Sequence, residues 1–333
     1  MESVSDLPRV ALLGCGYWGK NLARNFHALG ALSCVCDPSE KGRAMANEIA
    51  EGIATTDQFE EVFSDPEIDA IAIATPAPTH YELAAAALLA GKDVFVEKPI
   101  ALQAAEADQL EALATKRNRM LMVGHLMEYH PAIQKLSELI DSDELGELRY
   151  ITSHRINFGI VRTAENAWWS LAPHDVSVIL RLMGNLPESI TCRGGSFVTN
   201  DIEDLANAAL QFGHGGQAYI SVSWLHPVKE RKLCVVGSKR SAIFDDVSNT
   251  LTIFNQRVHV KGGVPKLMDE GSHQIELPDD EPLQRECQYF LTCVQTRSTP
   301  LTNGASGAAV VRVLEAGQQS LEQSGAEMRI DEH

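Results

Sequence analysis

A chain of 333 residues with 44% hydrophobic and 22% charged residues can bury a large core, and its length suits two domains. Its formal net charge of −17 argues against nucleic acid or an anionic membrane as partner, yet leaves room for an anionic substrate in a locally basic pocket. Seven scattered cysteines (15, 34, 36, 192, 234, 287 and 293) without framework spacing, no apolar run of membrane length and no leader-like pattern in Met1–Pro8 lead us to expect reduced thiols and a cytoplasmic protein.

Strand and helix patterns alternate through the first 125 residues. Strands are predicted at Val10–Leu13, Leu32–Cys36, Ile53–Thr55, Ala70–Ala74, Asp93–Val96 and Met120–Val123. Helices are predicted near Trp18–Ala28, Glu40–Glu51, Phe59–Phe63, His80–Ala90 and Ala104–Arg117. Apolar strands separated by helices imply a parallel, doubly wound Rossmann sheet covered on both faces. The first strand runs into Gly14-x-Gly16-x-x-Gly19, and a helix follows at once. Gly14 allows the tight turn, Gly16 admits a pyrophosphate close to the backbone, and Gly19 lets helix and strand pack closely. Tyr17 and Trp18, inside the motif, are expected among the cofactor contacts. Asp37 ends the second strand, where a carboxylate binds a ribose diol and repels a 2′-phosphate. NAD is therefore expected before NADP. A glycine motif alone fits an empty turn as readily, but strand, helix, spacing and acid together select a dinucleotide.

After Gly146 the pattern changes. An alternating stretch, Leu148–Asn157, precedes a helix-like stretch at His174–Met183. Strand-like runs follow at Ser189–Arg193, Ala206–Phe212, Gln217–Trp224, Lys232–Val236, Ala242–Asp245 and Leu251–Phe254, with turn residues between. This predicts an α+β domain with an open, mostly antiparallel sheet. Two helices, Leu283–Val294 and Ser306–Glu322, end the chain and are expected to pack back on the first domain. The expected division is 1–125 for the dinucleotide and 126–333 for substrate binding and oligomerisation.

Three segments carry possible chemistry. Thr75-Pro76, at the end of the fourth strand, and His80, at the start of the next helix, lie where an open sheet places its ligand crevice. Glu97-Lys98-Pro99 ends the fifth strand at the same edge; read alone, it is better explained as a surface ion pair before a turn. Pro173-His174-Asp175 at a helix start would put His174 in a field favouring the neutral imidazole, able to take a proton from an alcohol. It would serve equally as a helix entry with a buried histidine.

In this order and spacing, Gly14-x-Gly16-x-x-Gly19, Asp37, Thr75-Pro76 with His80, Glu97-Lys98-Pro99 and His174 resemble the glucose–fructose oxidoreductase/inositol dehydrogenase/MocA (Gfo/Idh/MocA) family. The likeness covers nearly the whole chain, including Glu281–Phe290 and Leu301–Gly307. It implies a Rossmann domain followed by an open-sheet α/β domain, and oxidation of a sugar or cyclitol hydroxyl, or the reverse, with NAD(P). It further implies Lys98 as substrate-binding, proton-relay lysine and His174 as general acid/base. One departure is Ser170, where many members carry an acid four residues before this histidine.

The loop Gly124-His125-Leu-Met-Glu128-Tyr129-His130-Pro131 covers nicotinamide and substrate in the family, so Tyr129 is an expected substrate contact. His125 and His130, five apart, do not share a helical face, and no metal is expected. Arg155 and Asn157 share a strand face that would suit a carboxylate or phosphate if it lines the crevice, and that serves as readily as a solvated sheet face; Arg162 lies nearby, and Asp175 is added as a substrate contact beside His174. The combined pattern resembles a branch of nucleotide-sugar 3-dehydrogenases acting at C3 of UDP-N-acetylglucosaminuronate-type substrates. Alternatives are a free-sugar or inositol dehydrogenase, a deoxysugar ketoreductase, a non-catalytic dinucleotide sensor, and a hydrolase or lyase using a transient hydride. A homodimer or homotetramer through the open sheet is expected.

Overall fold

The computed structural model describes residues 7–213 and 215–331. The leader reading of Met1–Pro8 therefore falls almost wholly outside the described residues. The chain divides into two compact units: one runs to Tyr129 and takes up Asp280–Val311, and the other holds His130–Asp279 and the chain from Arg312 onward.

In the first unit, β1 (Val10–Leu13), α1 (Gly19–Ala28), β2 (Leu32–Cys36), α2 (Glu40–Ile49), β3 (Ala54–Thr56), α3 (Phe59–Ser64), β4 (Ala70–Ile73), α4 (His80–Leu89), β5 (Asp93–Glu97), α5 (Ala104–Arg117) and β6 (Leu121–Gly124) alternate without exception. The six parallel strands lie in the order β3-β2-β1-β4-β5-β6. The order reverses between β1 and β4, so the crevice for a ligand opens beyond the carboxyl ends of those two strands. Strands β1 and β4 are buried at every position, as expected of a sheet covered on both faces. Helix ends follow local rules: Ser39 caps α2 by accepting the Gly42 N–H, and Gly91, at φ +79, leads the chain out of α4.

A helix from the end of the chain completes this core. Phe290 packs edge-on against Phe26 and Phe95, with ring centroids 6.3 and 5.7 Å apart. Arg297 donates to Asp93 at 2.6 Å, tying the same region to the sheet.

The second unit begins with α6 (Pro131–Asp141), which the sequence reading missed, and continues through β7 (Leu148–Phe158), α7 (Ala167–Met183), β8 (Ser189–Gly195), β9 (Leu205–Gln211), β10 (Gln217–Ser223), β11 (Leu225–Gly237), β12 (Ser241–Asp245), β13 (Thr250–Lys261) and β14 (Val264–Ile275). After α8 (Pro282–Thr296) and α9 (Gly304–Glu322), a short β15 (Met328–Arg329) closes the sheet edge. Nine strands lie in the order β14-β13-β12-β11-β7-β10-β9-β8-β15. Only β7 and β10 run parallel; the other pairs are antiparallel. Helix α7 packs on β7, β9 and β10. Along β7 the alternation follows: Ile151, Ser153 and Arg155 are buried, while Tyr150 and His154 are exposed.

The expected helix start at His174 is corrected. Helix α7 begins at Ala167, capped by the Asn166 side chain on the Trp169 N–H, and Pro173 lies inside it. Pro173 marks an interior turn and not a beginning, tolerated at the cost of one backbone hydrogen bond. The field argument for a neutral His174 falls with it, because the helix N-terminus is two turns away.

Candidate active site

At the end of β1, Gly14 has φ +88 and donates its N–H to Cys36 O at 2.8 Å; a Cβ there would lie 2.9 Å from the Ala74 carbonyl oxygen. A Cβ on Gly19 would stand 2.0 Å from Gly14 O, an impossible approach, so only glycine lets α1 start here. At Gly16 a Cβ would meet nothing within 4 Å. The space beside it is therefore open, as a phosphate-binding turn requires. These differences predict separable outcomes. Gly19→Ala is expected to destabilise the fold by about 1–3 kcal/mol through overpacking, lowering the melting temperature. Gly16→Ala is expected to keep that temperature and weaken dinucleotide binding, read by quenching of tryptophan fluorescence. Equal stability losses in both variants would contradict this division.

Asp37 is buried at the end of β2, beside the same turn. Its Oδ2 accepts the Cys15 N–H at 2.7 Å, while its Oδ1 accepts the Ser39 N–H and hydroxyl at 2.8 and 2.7 Å. Oδ2 keeps a second lone pair for a ribose hydroxyl. Gly42 is required behind it, since a Cβ there would lie 2.1 Å from the Asp37 carboxyl carbon. Arg43 donates to the Asp37 and Pro38 carbonyls at 2.8 and 3.0 Å. Ser39, Gly42 and Arg43 are support residues that sequence reading passed over; a cap serine two residues beyond the acid was the available signal. Open turn and anchored acid together fit a dinucleotide.

On the β4 side, the Thr75 and Thr79 hydroxyls are 2.7 Å apart, and Pro76 is exposed at the loop crest. His80, an expected cofactor contact, has both ring nitrogens engaged by backbone carbonyls. It is buried, with Nε2 2.8 Å from Thr75 O and Nδ1 2.7 Å from Pro99 O. Its ring ties the loop after β4 to the loop after β5. Burial, with a smaller contribution from the Lys98 charge, lowers its pKa against the pull of those carbonyls.

Glu97 ends β5, with its carboxylate buried between Gly124 and α1, where Oε1 accepts the Trp18 indole N–H. Burial pushes its pKa up to about 7, although the Trp18 bond and the Lys98 charge pull it down. Lys98, half-buried, follows at the cis peptide to Pro99. Because Glu97 pairs with Gly124 in the sheet, Lys98 and His125 leave adjacent strand ends. Burial, aided by the Lys98 charge, drives the His125 pKa down to about 3, so this imidazole is neutral. Tyr17 is 79% exposed at the turn. Tyr129, an expected substrate contact, is buried in the core, its hydroxyl 2.8 Å from Thr302 Oγ1 and its ring centroid 5.3 Å from that of Tyr289.

In the second unit, Arg155 and Asp175 are brought together, but with each other. The Arg155 Nε and Nη2 donate to the two Asp175 oxygens at 2.7 and 3.3 Å, and Ser153 adds its hydroxyl to Oδ1 at 2.5 Å. All three are buried. The Asp175 carboxylate, an expected substrate contact, is thus directed at β7 and engaged there by Ser153 and Arg155. Arg155 likewise holds little of its fork for an anion. Ser153 was missed, although it lies one strand period from Arg155. Asn157 and His174 are half-buried, and Ser170 lies one helical turn before His174 on the same face of α7.

Residues 8–125 match the family model for the oxidoreductase family with an NAD-binding Rossmann fold, and residues 133–243 match the GFO/IDH/MocA C-terminal domain. The chain belongs to the Gfo/Idh/MocA family. It is similar to UDP-N-acetylglucosamine 3-dehydrogenase from Acidithiobacillus ferrooxidans, at 29% identity over 91% of this chain and 94% of the relative. A solved structure of that enzyme superposes with a TM-score of 0.84 over 95% of this chain and 98% of its own. An oxidoreductase structure from Magnetospirillum magnetotacticum is 30% identical, with a TM-score of 0.82 over 93% and 99% of the two chains. The NAD+-dependent scyllo-inositol 2-dehydrogenase of Bacillus subtilis is 27% identical over 88% of each chain. This family member is therefore an oxidoreductase with an NAD-binding fold. Among the described residues, no helix is long and apolar enough to cross a membrane.

Proposed function

We propose that this family member is an NAD-dependent dehydrogenase that oxidises the C3 hydroxyl of a UDP-N-acetylglucosamine-type sugar, with or without a C6 carboxylate. The observation that carries the dinucleotide half is the anchored Asp37 beside the open Gly16 turn. The similarity to the Acidithiobacillus 3-dehydrogenase supports the substrate half. The engagement of Arg155 by Asp175 weakens the case for an obligatory sugar carboxylate. NAD, when bound, supplies the hydride acceptor. Gly14, Gly16 and Gly19 would hold its phosphates, Asp37 its adenosine ribose, and the Thr75-Pro76 loop its nicotinamide side.

Lys98 is assigned to hold the reacting hydroxyl through its ammonium, with Glu97 and the neutral His125 as fixed surroundings. His174 takes the hydroxyl proton as the C–H hydride leaves, or returns it in the reverse direction. Asp175 does not tune His174, because its carboxylate is held by Arg155 and Ser153. Assembly into a homodimer or homotetramer through the exposed face of the β7–β10 sheet, where Tyr150 and Tyr219 are 40% and 43% exposed, belongs to the same proposal. So does a cytoplasmic location.

The test is stopped-flow absorbance at 340 nm with NAD and, separately, UDP-N-acetylglucosamine, its uronate, free sugars and inositols. A burst confined to the UDP sugars is expected. A burst confined to a free polyol would keep the dehydrogenase and replace its substrate, as the inositol relative would suggest. Asp37→Ala is expected to raise KM for NAD about tenfold to a hundredfold, the worth of one charged hydrogen bond. It should also admit NADP, because Arg43 stands ready beside the vacated carboxylate. Unchanged cofactor selectivity would refute this role for Asp37.

A further inference from the structure

Trp18 is the last residue before α1, yet its side chain does not cap that helix. Its indole N–H crosses instead to the end of β5 and donates to Glu97 Oε1, so one side-chain bond joins the glycine turn to the strand that runs into Lys98. The other oxygen, Oε2, accepts the Lys98 N–H at 3.3 Å. It also occupies the space over Gly124, the sheet partner of Glu97, where a Cβ would lie 2.9 Å from it. The carboxyl group is therefore fixed from three sides: the turn before α1, β5 itself and β6.

Glu97 is buried, and a buried carboxylate is costly unless donors and positive charge face it. Burial pushes it up to about 7, while the Trp18 bond and then the Lys98 charge favour its ionised form. The histidines around Lys98 add no charge: burial first, then Lys98 itself, lowers the pKa of His125, and burial does the same at His80. Glu286 and Cys287 lie on the α8 side, and both oxygens of Glu286 are buried without a hydrogen-bond partner among the described residues. Burial first, then the charges of Glu97 and Glu128, keep Glu286 protonated. The negative charge of the acidic pair therefore stays on Glu97, where the Trp18 N–H stabilises it. Oxidised nicotinamide carries a positive charge that the reduced ring lacks. With Lys98 assigned to the reacting hydroxyl, that charge comes near its ammonium and is repelled, and Glu97 is the carboxylate placed to offset it. The reduced ring needs no such offset.

We propose that Trp18 is a positioning residue whose indole N–H holds the Glu97 carboxylate as counter-charge to an oxidised nicotinamide, so that the Trp18–Glu97 pair makes this chain favour NAD+ over NADH. The inference rests on the NAD and Lys98 assignments above and goes beyond them in naming the groups that read the redox state of the cofactor.

The experiment is isothermal titration calorimetry of the full chain with NAD+ and, separately, NADH across the neutral pH range, on wild type, Trp18→Phe and Glu97→Gln. With Glu97 titrating at about 7, wild-type affinity for NAD+ is expected to rise about tenfold over the two pH units centred there, while affinity for NADH changes by about twofold or less. Trp18→Phe keeps an aromatic ring and removes the donor. It is expected to move the midpoint of the NAD+ rise up by about one pH unit, the worth of a hydrogen bond to a charged group. Glu97→Gln is expected to leave the NAD+ profile flat at its low-pH level. The chain has four tryptophans, and indole N–H resonances of the unliganded wild type give a readout without any dinucleotide. The signal missing from Trp18→Phe should shift with the same midpoint as the NAD+ rise. An NAD+ to NADH preference that does not change with pH would overturn the proposal. So would a slope that survives Glu97→Gln, or a Trp18→Phe variant that weakens both dinucleotides equally at every pH, as a packing role alone requires. Those outcomes leave the NAD assignment standing, whereas binding of neither dinucleotide would overturn that assignment and the inference with it.

Discussion

Replacing Lys98 by methionine is expected to lower kcat by about two to four orders of magnitude, the range for removing a positioned proton-handling group. The methylene stem fits the same half-buried slot, so the fold should survive. The charge lost is one that three neighbours register: it lowers the pKa of Glu97, His80 and His125. Its removal should let the Glu97 pKa rise above about 7 and the His125 pKa above about 3. The site then loses its ammonium and, at neutral pH, more of its Glu97 carboxylate. Single-turnover absorbance at 340 nm reads the chemical step directly, and dinucleotide affinity, measured by fluorescence, should change much less. Lys98→Arg should not rescue, since a planar fork cannot place a point charge where a compact ammonium sits. His174→Ala should lower the same step. A kcat for Lys98→Met within threefold of wild type would remove Lys98 from the chemistry.

The Rossmann half was legible because its signals are local. Four-residue apolar strands, a glycine turn with fixed spacing and an acid at the next strand end each constrain backbone and ligand together. Boundaries there moved by one or two residues. The second half was less legible. Helix α6 begins at Pro131 with His130 as its cap, and a proline-histidine pair reads as loop until the cap is seen. Pro173 hid the first turns of α7. Strand β13 runs on past Phe254 through the alternating Arg257-Val258-His259-Val260-Lys261, but the polar Asn255-Gln256 step at the register shift interrupts the pattern, and β14 is broken by the polar run Asp269–Gln274. The functional residues divide in the same way. Glycines and Asp37 act through backbone shape and could be read in order. His80, Tyr129, Arg155 and Asp175 have ligand-like side chains whose partners, Thr75 and Pro99, Thr302, and each other, lie far along the chain or on another element. Only the fold reveals that these groups are already engaged.

Glu286 is the strongest case of a group whose burden is invisible in sequence. It lies in the first turns of α8 at 0% exposure, and both carboxyl oxygens are buried without a hydrogen-bond partner among the described residues. Burial first, then the carboxylates of Glu97 and Glu128, raise its pKa well above the ordinary value. The Cys287 and Tyr129 groups beside it are raised by the same burial and charge. An ionised Glu286 would be an unpaired buried charge, so the folded protein holds it protonated. The sign follows from linkage. A carboxyl whose folded pKa exceeds its unfolded one contributes stability below the unfolded value and loses that contribution as pH rises through the folded one. With Glu97 raised to about 7, the pair should make the protein less stable between pH 5 and 8. Glu286→Gln keeps the shape and removes the titration. It is expected to raise stability at pH 8 by about 1–3 kcal/mol, the cost of an unsatisfied buried polar group, and to change little at pH 5. Melting temperature should therefore rise by roughly 2–4 °C per kcal/mol at pH 8. The measurement is differential scanning fluorimetry across that range. A glutamine variant that melts lower at pH 8 than wild type would mean that Glu286 is held ionised by a partner, and the acidic pair would then stabilise the fold.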